Sequence, residues 1–348
     1  MTTRPYVLLS AAMSIDGYLD DATDQRLVLS NDLDWDRVDE VRAGCDAILV
    51  GANTVRRDNP RLVIRSAARR ERRVASGLPA DPIKVVLSRS GDLDPAAAFF
   101  TTGEGEKLVH ADIDTMLADL AARGVRRLMV EGGTGTHTSF LTRGLADELH
   151  LVVAPFFVGD AAAPRFVHDG RFPWDRDRRA TLAEVRKIGN VVLHRYLLSE
   201  REVDRYWLEQ AVELSRRCPP SDTAFAVGAV VVDAHGEEIA RGYSRETDDR
   251  VHAEEAALAR LDPADPRLAT ATIYSSLEPC SRRRSRPRTC TRLILDAGLP
   301  RVVFALREPP TFVDGEGAEL LAAAGREVVE RPDLAAGVRE VNRSLLPA

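Results

Sequence analysis

The chain has 348 residues, of which 44% are hydrophobic, and this length predicts two globular domains because one hydrophobic core rarely extends over so many residues. Its 48 basic and 54 acidic residues are intermixed and give a net charge of −6, which disfavours a nucleic acid partner because such proteins concentrate positive charge. The sequence shows no apolar run of the roughly 18 residues that a membrane span needs, and no apolar segment typical of a signal peptide. We therefore expect no membrane partner, and four cysteines are typical of a reduced, cytoplasmic protein.

In the first half, short apolar segments alternate with amphipathic ones. Strands are predicted at 6–13, 46–51, 83–88, 107–110 and 127–133, and helices at 34–44 and 113–124. Strands separated by helices are typical of a mostly parallel α/β sheet. A helix over 136–150 and strands at 149–159 and 191–198 end this half and predict an antiparallel edge.

A polar segment at 199–205 predicts a boundary between a domain at 1–199 and a domain at 200–348. The second half begins with an amphipathic helix at 206–217. It continues with strands at 225–232, 239–244, 272–278, 301–306 and 327–330, with helices that start near 252, 290 and 317, and with a helix at the C-terminus. This alternation also predicts an α/β domain.

Four residues of the second half form the pattern of a zinc site. His252 and Glu254 lie in His-Ala-Glu at a predicted helix start. Cys280 follows a proline at the end of a predicted strand, and Cys290 opens the next helix. One imidazole and two thiolates suit Zn²⁺ with an open fourth position, and a carboxylate that is not a ligand can move protons. We therefore predict three metal ligands, His252, Cys280 and Cys290, and a catalytic Glu254; the alternative is a structural role for each, since an isolated cysteine is usually a small buried apolar side chain.

The two cysteines are separated by nine residues, where the common C-x-x-C pattern has two. The intervening loop carries Arg282, Arg283, Arg284, Arg286 and Arg288. A dense cationic loop beside a metal suits a phosphate group on the substrate, and we predict that Arg282, Arg284 and Arg288 bind it. The alternative is a charged loop that is only solvated.

The stretch SLEPCSRRRSRPRTC at 276–290 resembles the riboflavin-biosynthesis pyrimidine deaminases of the cytidine-deaminase superfamily, which also have a long loop between the cysteines. The resemblance covers about residues 204–345 and implies a three-layer α/β/α fold. The chain departs from the family at 223–232, where an asparagine that would hold the pyrimidine is missing, and at Arg282, where the family has a histidine.

Two stretches of the first half contain turns at the ends of strands. In GANTVRRDNPRLVIR at 51–65, Thr54 is predicted to cap a turn that Asp58-Asn59-Pro60 closes. In VEGGTGT at 130–136, a strand leads into glycines and then a helix, which lets backbone N–H groups approach a pyrophosphate. Glycine turns at such junctions also occur for packing reasons alone.

Together with S-x-D-G at 14–17, these stretches resemble the pyrimidine reductase domain of riboflavin biosynthesis, a relative of dihydrofolate reductase, over about residues 4–199. The resemblance implies a dihydrofolate-reductase-like α/β domain with NADPH as cofactor. It implies cofactor contacts at Thr54, Asp58, Gly132, Gly133, Thr134, Gly135 and Thr136, and substrate contacts at Arg42, Leu62, Arg65 and Glu131. The two arginines among the substrate contacts suit a ribose phosphate, and the glutamate suits donors of a pyrimidine. Arg56 and Arg57 either bind the cofactor's 2′-phosphate or lie in solvent.

The chain departs from the family's bacterial fusion in its domain order, with the reductase first, and in Ser10, where the family often has a lysine. The resemblance implies a bifunctional zinc- and NADPH-dependent enzyme that deaminates a diaminopyrimidinone ribosyl phosphate and reduces the ribosylaminouracil phosphate to the ribityl form. We also expect a homodimer. The alternatives are the same two reactions on a specialised-metabolite pyrimidine, or a zinc deaminase with an inactive, regulatory reductase-like domain.

Overall fold

The computed structural model describes residues 4–23, 25, 27–283, 286–308 and 316–346. The chain divides into two compact units, Met1–Ser199 and Glu200–Ala348. Within the described ranges, no helix has both the length and the apolar character that crossing a membrane requires. Arg284, one of the arginines predicted to bind phosphate, lies outside the described residues.

The first unit contains a mixed sheet. Its strands are β1 (Tyr6–Ser14), β2 (Ala47–Gly51), β3 (Ile83–Leu87), β4 (Lys107–His110), β5 (Arg127–Val130), β6 (Glu148–Ala154), β7 (Thr181–Ile188) and β8 (Val191–Leu197). They are ordered β4-β3-β2-β5-β1-β6-β8-β7. The pairs from β4 to β6 are parallel, whereas β8 is antiparallel to β6 and β7. This order confirms the predicted parallel sheet with an antiparallel edge.

The helices of this unit are α1 (Asp32–Ala43), α2 (Ala52–Asp58), α3 (Ala67–Ala75), α4 (Ala98–Thr101), α5 (Ile113–Ala122) and α6 (Thr134–Thr142). The central strands are buried on both faces, with Leu9 and Leu49 in one apolar cluster and Leu8 and Ile48 in another. Since β2 and β5 are parallel neighbours, their carboxyl ends lead into α2 and α6 at the same edge of the sheet.

The structure corrects the local prediction around Thr54. This residue lies within α2, and the N-cap of that helix is Gly51, which makes no side-chain capping bond. Asp58 is the last helical residue, and Asn59 ends the helix in a left-handed conformation with φ of 42°. The segment is therefore a short helix that starts directly after Gly51, the last residue of β2.

The helix predicted over 136–150 is also shorter than expected. It ends at Thr142, and Gly144 has φ of 61°, a conformation that favours glycine and reverses the chain direction. Glu148 then begins β6. Leu149, the last apolar residue of the predicted helix, therefore belongs to the sheet.

The second unit has another sheet, with helices on both of its faces. Its elements are α7 (Glu200–Ser215), β9 (Gly228–Val232), β10 (Glu238–Tyr243), α8 (Ala253–Leu258), β11 (Thr272–Leu277), α9 (Cys290–Asp296), β12 (Arg301–Leu306), α10 (Gly317–Ala323), β13 (Glu327–Glu330) and α11 (Ala335–Val341). The strand order is β10-β9-β11-β12-β13. β9 is antiparallel to β10 and β11, and the remaining pairs are parallel.

Two glycines show how closely the helices pack on this sheet. A Cβ on Gly228 would lie 2.1 Å from the carbonyl oxygen of Ala211 in α7, and a Cβ on Gly242 would lie 2.4 Å from the backbone nitrogen of Ala257 in α8. Gly242 is paired with Ala229, the neighbour of Gly228, so the two glycines face opposite sides. The helices therefore cover both faces, and the three-layer α/β/α prediction is confirmed.

The segment 199–205 differs from the polar boundary that the sequence predicts, because most of it is the start of α7. Asp204 is buried there and accepts hydrogen bonds from the Arg301 guanidinium at 2.7 and 2.9 Å and from the Tyr274 hydroxyl at 3.1 Å. Asp204 therefore has partners that are distant in the sequence.

Candidate functional site

The second unit brings His252, Cys280 and Cys290 together, with their ligand atoms within 4.8 Å of one another. His252 is the N-cap of α8, and Cys290 is the first residue of α9. Cys280 lies in the loop after β11, and the two cysteines are 5% and 0% exposed. The ends of two helices and a strand thus form one buried cluster.

The distances in this cluster fit a tetrahedral metal ion. His252 Nδ1 lies 3.6 Å from Cys280 Sγ and 3.4 Å from Cys290 Sγ. Zinc bonds of about 2.3 Å to sulfur and about 2.0 Å to nitrogen place such atoms roughly 3.5 Å apart at tetrahedral angles. The hydrogen bond between the two thiols lowers the pKa of Cys280 and raises the pKa of Cys290, so the pair readily supplies one thiolate, the form that binds metals. The donor set and its spacing fit zinc.

Glu254 lies beside the cluster on α8 and is 3% exposed. Its Oε1 accepts a hydrogen bond from Ser275 Oγ of β11 at 2.8 Å. Burial, followed by the charge of Cys280, raises the pKa of Glu254. The sheet therefore holds this carboxyl group in one orientation, in an environment that favours its protonated form.

Glu308, which follows β12, was not identified from the sequence. Its Oε2 is buried and has no hydrogen-bond partner among the described residues. Burial, together with the charges of Cys280 and Glu254, raises the pKa of Glu308 to about 8. Because buried polar atoms are rarely left unpaired, this oxygen is available to a ligand. The local sequence carries no signal for this role, which depends on β12 packing beside β11.

Two arginines of the loop between the cysteines are engaged within the protein. Arg283 donates to Glu255 Oε2 at 2.8 Å, and its side chain is 2% exposed. Arg286 donates to Glu255 Oε1 at 2.8 Å and to Asp248 Oδ2 at 2.5 Å. Glu255 therefore ties the loop to the helix that begins beside His252.

The other described arginines of this loop point outward. Arg282 is 63% exposed and lies 3.6 Å from Glu316, a loose ion pair. Arg288 is exposed. The structure thus separates the four described arginines of this loop into two that are bound to Glu255 and two that are accessible to a ligand.

The first unit contains a cavity of about 1340 Å³ at the edge where the parallel strands end. Most small-molecule sites measure roughly 300–1,000 Å³, so this cavity has room for two ligands. Ten of the predicted contacts line it: Arg42, Arg65, Thr54, Asp58, Glu131, Gly132, Gly133, Thr134, Gly135 and Thr136.

Leu62 does not line that cavity. Its side chain is 3% exposed and packs in an apolar cluster with Val50 and Phe99, and its backbone has φ of 48°. The prediction that Leu62 faces the substrate therefore does not fit this position, because the motif gives the residue's place in the loop and not the direction of its side chain.

The glycines before α6 have different reasons to be glycine. A Cβ on Gly132 would lie 2.5 Å from the Thr136 Cβ, so packing alone requires glycine there. Gly133 has φ of −80°, and an added Cβ would meet only Thr54 Oγ1, at 3.8 Å. Neither conformation nor packing demands glycine at this position. The open space at the helix N-terminus suits an anion that approaches the backbone.

Arg42 and Glu131 form a bidentate pair in the cavity wall. Arg42 Nε donates to Glu131 Oε1 at 2.7 Å, and Arg42 Nη2 donates to Oε2 at 2.6 Å. The side chains are 14% and 17% exposed. The two residues predicted to face the substrate therefore hold each other, which leaves the outer edges of the carboxylate and guanidinium groups for a ligand.

Arg56 and Arg57 both line the cavity, and both have partners. Arg56 donates to Asn53 Oδ1 at 3.1 Å and to the Asp92 carbonyl at 2.7 Å. Arg57 pairs with Asp20 at 3.1 Å. The exposed Arg89, after β3, also lines the cavity and forms no ion pair with any described residue. Sequence analysis did not single it out, since one arginine after a strand is no motif.

The arrangement in the second unit, an α/β/α fold with one histidine, two cysteines and a buried glutamate, is that of the zinc-dependent nucleobase deaminases. Residues 201–306 match the family described as the cytidine and deoxycytidylate deaminase zinc-binding region. Residues 5–194, more than half of the chain, match the RibD C-terminal domain. The chain belongs to the RibD C-terminal domain family, with the deaminase-type region second.

Each of the two regions is similar to curated proteins. The 2,5-diamino-6-ribosylamino-4(3H)-pyrimidinone 5′-phosphate reductase of Archaeoglobus fulgidus is 33% identical over 187 residues, covering 46% of this chain and 85% of the relative. The diaminohydroxyphosphoribosylamino-pyrimidine deaminase of Schizosaccharomyces pombe is 39% identical over 139 residues, 39% of this chain and 34% of the relative. The riboflavin biosynthesis protein RibD of Corynebacterium ammoniagenes is 33% identical over 159 residues, 45% of each chain. The resemblance stated from the motifs is confirmed.

Proposed function

We propose that the chain is a bifunctional enzyme of riboflavin biosynthesis. Its second unit would replace the 2-amino group of a diaminopyrimidinone ribosyl phosphate by a carbonyl group, and its first unit would reduce the ribosylaminouracil phosphate to the ribityl form with NADPH. The names of the relatives support phosphoribosylated diaminopyrimidines as the substrate class, and the reductase relative is named for the diaminopyrimidinone itself, so the order of the two reactions stays open. The observation that carries the proposal is the convergence of three metal-ligating side chains beside the buried Glu254.

In the deamination, His252, Cys280 and Cys290 would hold Zn²⁺, and the chemistry that such an ion supplies when bound is the activation of water at neutral pH. Glu254 is placed to take a proton from the attacking water and to deliver it to the departing amine, which leaves as ammonia. The hydrogen bond from Ser275 keeps the Glu254 carboxyl group in one orientation during both transfers.

Substrate recognition in this unit involves two groups of residues. Glu308 Oε2, which has no hydrogen-bond partner among the described residues, suits a hydrogen bond with a polar group of a diaminopyrimidinone. The exposed Arg282 and Arg288 suit the 5′-phosphate, since Arg283 is engaged by Glu255. Binding of phosphate by Arg284 stays a prediction.

In the reduction, NADPH would supply the hydride. Gly133 and Gly135 leave the N-terminus of α6 accessible, which suits the pyrophosphate of a dinucleotide. Thr54 and Asp58 line the same cavity from α2. We assign these residues, with Gly132, Thr134 and Thr136 of the same turn, to the cofactor, and the cavity's size leaves room for the substrate beside it.

For the cofactor's 2′-phosphate we favour Arg89 over Arg57, which forms an ion pair, and over Arg56, which donates to Asn53 and to the Asp92 carbonyl. An arginine without a carboxylate partner binds an anion at a lower cost, because no existing ion pair has to be broken. Arg57 already pairs with Asp20, whereas Arg89 forms no ion pair with a described residue. The sequence alone did not distinguish whether Arg56 and Arg57 bind the 2′-phosphate or lie in solvent.

Mass spectrometry tests the proposal with the full chain and the diaminopyrimidinone ribosyl phosphate. Without NADPH we expect replacement of one amino group by oxygen with release of ammonia, and with NADPH a further gain of two hydrogens. Loss of the second step alone would indicate a regulatory first unit, and an unchanged substrate mass in both conditions would contradict the proposal. Turnover of a different pyrimidine only would support the specialised-metabolite alternative. Homodimer assembly and a cytoplasmic location stay predictions.

A further inference from the structure

Three arginines, Arg37, Arg42 and Arg65, line the cavity of the first unit near α1. Arg37 Nε donates to Asp34 Oδ1 at 2.6 Å, and Arg42 forms the bidentate pair with Glu131. The guanidinium of Arg65 makes no ion pair with any part of the chain that the structure describes, and its ring contact is with an aromatic side chain. Of these three cations, Arg65 is therefore the one whose charge is available to a phosphate group.

Arg65 is held from two sides by the same helix. Its backbone nitrogen donates to Asp39 Oδ1 at 2.6 Å, and Asp39 is 3% exposed on α1. Its guanidinium carbon lies 5.8 Å from the centroid of the Trp35 ring, within the roughly 6 Å over which cation–π attraction acts. Trp35 precedes Asp39 by one helical turn, is 37% exposed and lines the cavity.

We propose that Trp35 is a positioning residue that holds the guanidinium of Arg65 over its ring, so that Arg65 meets the 5′-phosphate of the reductase substrate. An indole ring carries no charge, so it orients the guanidinium without neutralising it, in contrast to the carboxylates beside Arg37 and Arg42. A guanidinium stacked on an aromatic face also keeps its edge N–H groups free for a bidentate contact with phosphate. This inference rests on the proposed reductase function.

Steady-state kinetics of the reduction test the proposal with two substitutions of Trp35. Trp35→Leu should raise KM for the phosphorylated substrate by about three- to tenfold with kcat unchanged, because a cation–π contact of ordinary strength is lost. Trp35→Phe retains an aromatic face and should restore most of the affinity. Leu33→Ala is the matched control, since Leu33 lies on the same helix, is 63% exposed and does not line the cavity.

A double-mutant comparison separates positioning from a direct contact. In an Arg65→Ala background, Trp35→Leu should have no further effect on KM, because the group that it positions is gone. Additive effects of the two substitutions would overturn the proposal. So would an equal increase of KM for the dephosphorylated substrate, which would place Trp35 against the pyrimidine or the sugar.

Binding of ribose 5-phosphate, measured by calorimetry on the full chain, gives a readout that is independent of turnover. The wild type and Trp35→Phe should bind it, and Trp35→Leu should bind it three- to tenfold more weakly, with unchanged affinity for NADPH. Equal affinity of Trp35→Leu and the wild type, or no binding by the wild type, would overturn the proposal. Failure of the wild type to bind NADPH would instead argue against the reductase function itself.

Discussion

Buried ionisable side chains have two different roles in this protein. Lys84 on β3 is 0% exposed, and its ammonium donates to the carbonyl oxygens of Thr102 at 2.6 Å and Phe99 at 3.4 Å and to that of Arg61. It thereby holds together chain segments that are apart in the sequence. Glu254 has one hydroxyl donor on one oxygen, and its other neighbours are the predicted metal ligands. A carboxyl group with so few fixed partners can exchange a proton, which makes it suited to catalysis.

Replacement of Glu254 tests this role. Glu254→Gln keeps the shape of the side chain and removes the proton-accepting group, so deamination should fall by a factor on the order of 10² or more. Zinc content, measured by atomic emission, and reduction of already deaminated substrate should not change. Glu209→Gln is the matched control, because Glu209 is an exposed residue of α7 paired with Arg205. A near-normal rate for Glu254→Gln would assign the proton transfers to another group.

The burial of Lys84 predicts a pH dependence of stability. Burial lowers the pKa of Lys84 from 10.5 to about 8, so between these values the unfolded chain binds more protons than the folded chain. The free energy of unfolding should therefore rise with pH across this window, by at most about 3 kcal/mol from this group. Lys84→Met should lack this rise, so the difference in stability between the wild type and the variant should grow in favour of the wild type from pH 8 to pH 10.5. Urea denaturation curves that keep a constant difference between the two proteins would contradict the assignment.

At the scale of elements, local motifs were sufficient to predict the cluster of His252, Cys280 and Cys290 and insufficient for parts of the first unit. His252 and Cys290 stand at helix starts, and a helix start is recognisable from adjacent residues. The helix α3 was not predicted, and its Arg73 is buried because it donates to the carbonyl oxygens of Ala43 and Cys45. From the sequence, an arginine is expected to lie in solvent, because the carbonyl groups that can bind it when it is buried belong to another segment of the chain. Trp35 was not predicted as a site residue because its partner, Arg65, also belongs to another segment of the chain.

We expect the arginines of the loop between the cysteines to differ in their effects: the exposed ones should affect substrate binding, and the buried one should affect stability. Joint replacement of Arg282 and Arg288 by alanine should raise KM of the deaminase for phosphorylated substrate, with little change in kcat or stability. Arg283→Ala should destabilise the second unit by about 1–3 kcal/mol, because it removes a buried charge-assisted hydrogen bond to Glu255. Arg292→Ala is the control, since Arg292 is 68% exposed and pairs with Asp296. If the double variant prefers the phosphorylated substrate as strongly as the wild type does, the exposed arginines are only solvated.

At the scale of the whole molecule, the two candidate sites are built from separate units. The predicted metal ligands lie within Glu200–Ala348, and the described residues that line the cavity belong to Met1–Ser199. The residues assigned to each site thus come from one unit. A substitution at one site is expected to leave the chemistry of the other intact.

This independence predicts that two damaged proteins can complement each other. Gly133→Val should weaken NADPH binding, because its side chain would project into open space at the start of α6, where packing and backbone conformation do not require glycine. Deamination by this variant should be unchanged, whereas Glu254→Gln should bind NADPH normally and fail to deaminate. A mixture of the two variants should convert the diaminopyrimidinone ribosyl phosphate to the deaminated ribityl product, which neither variant forms alone at a comparable rate. Mass spectrometry of the products follows both steps, and NADPH fluorescence measures cofactor binding by each variant.

Tight NADPH binding by Gly133→Val would make the glycine turn a packing feature. If both variants behave as expected singly but the mixture forms no final product, the intermediate does not pass through solution between chains.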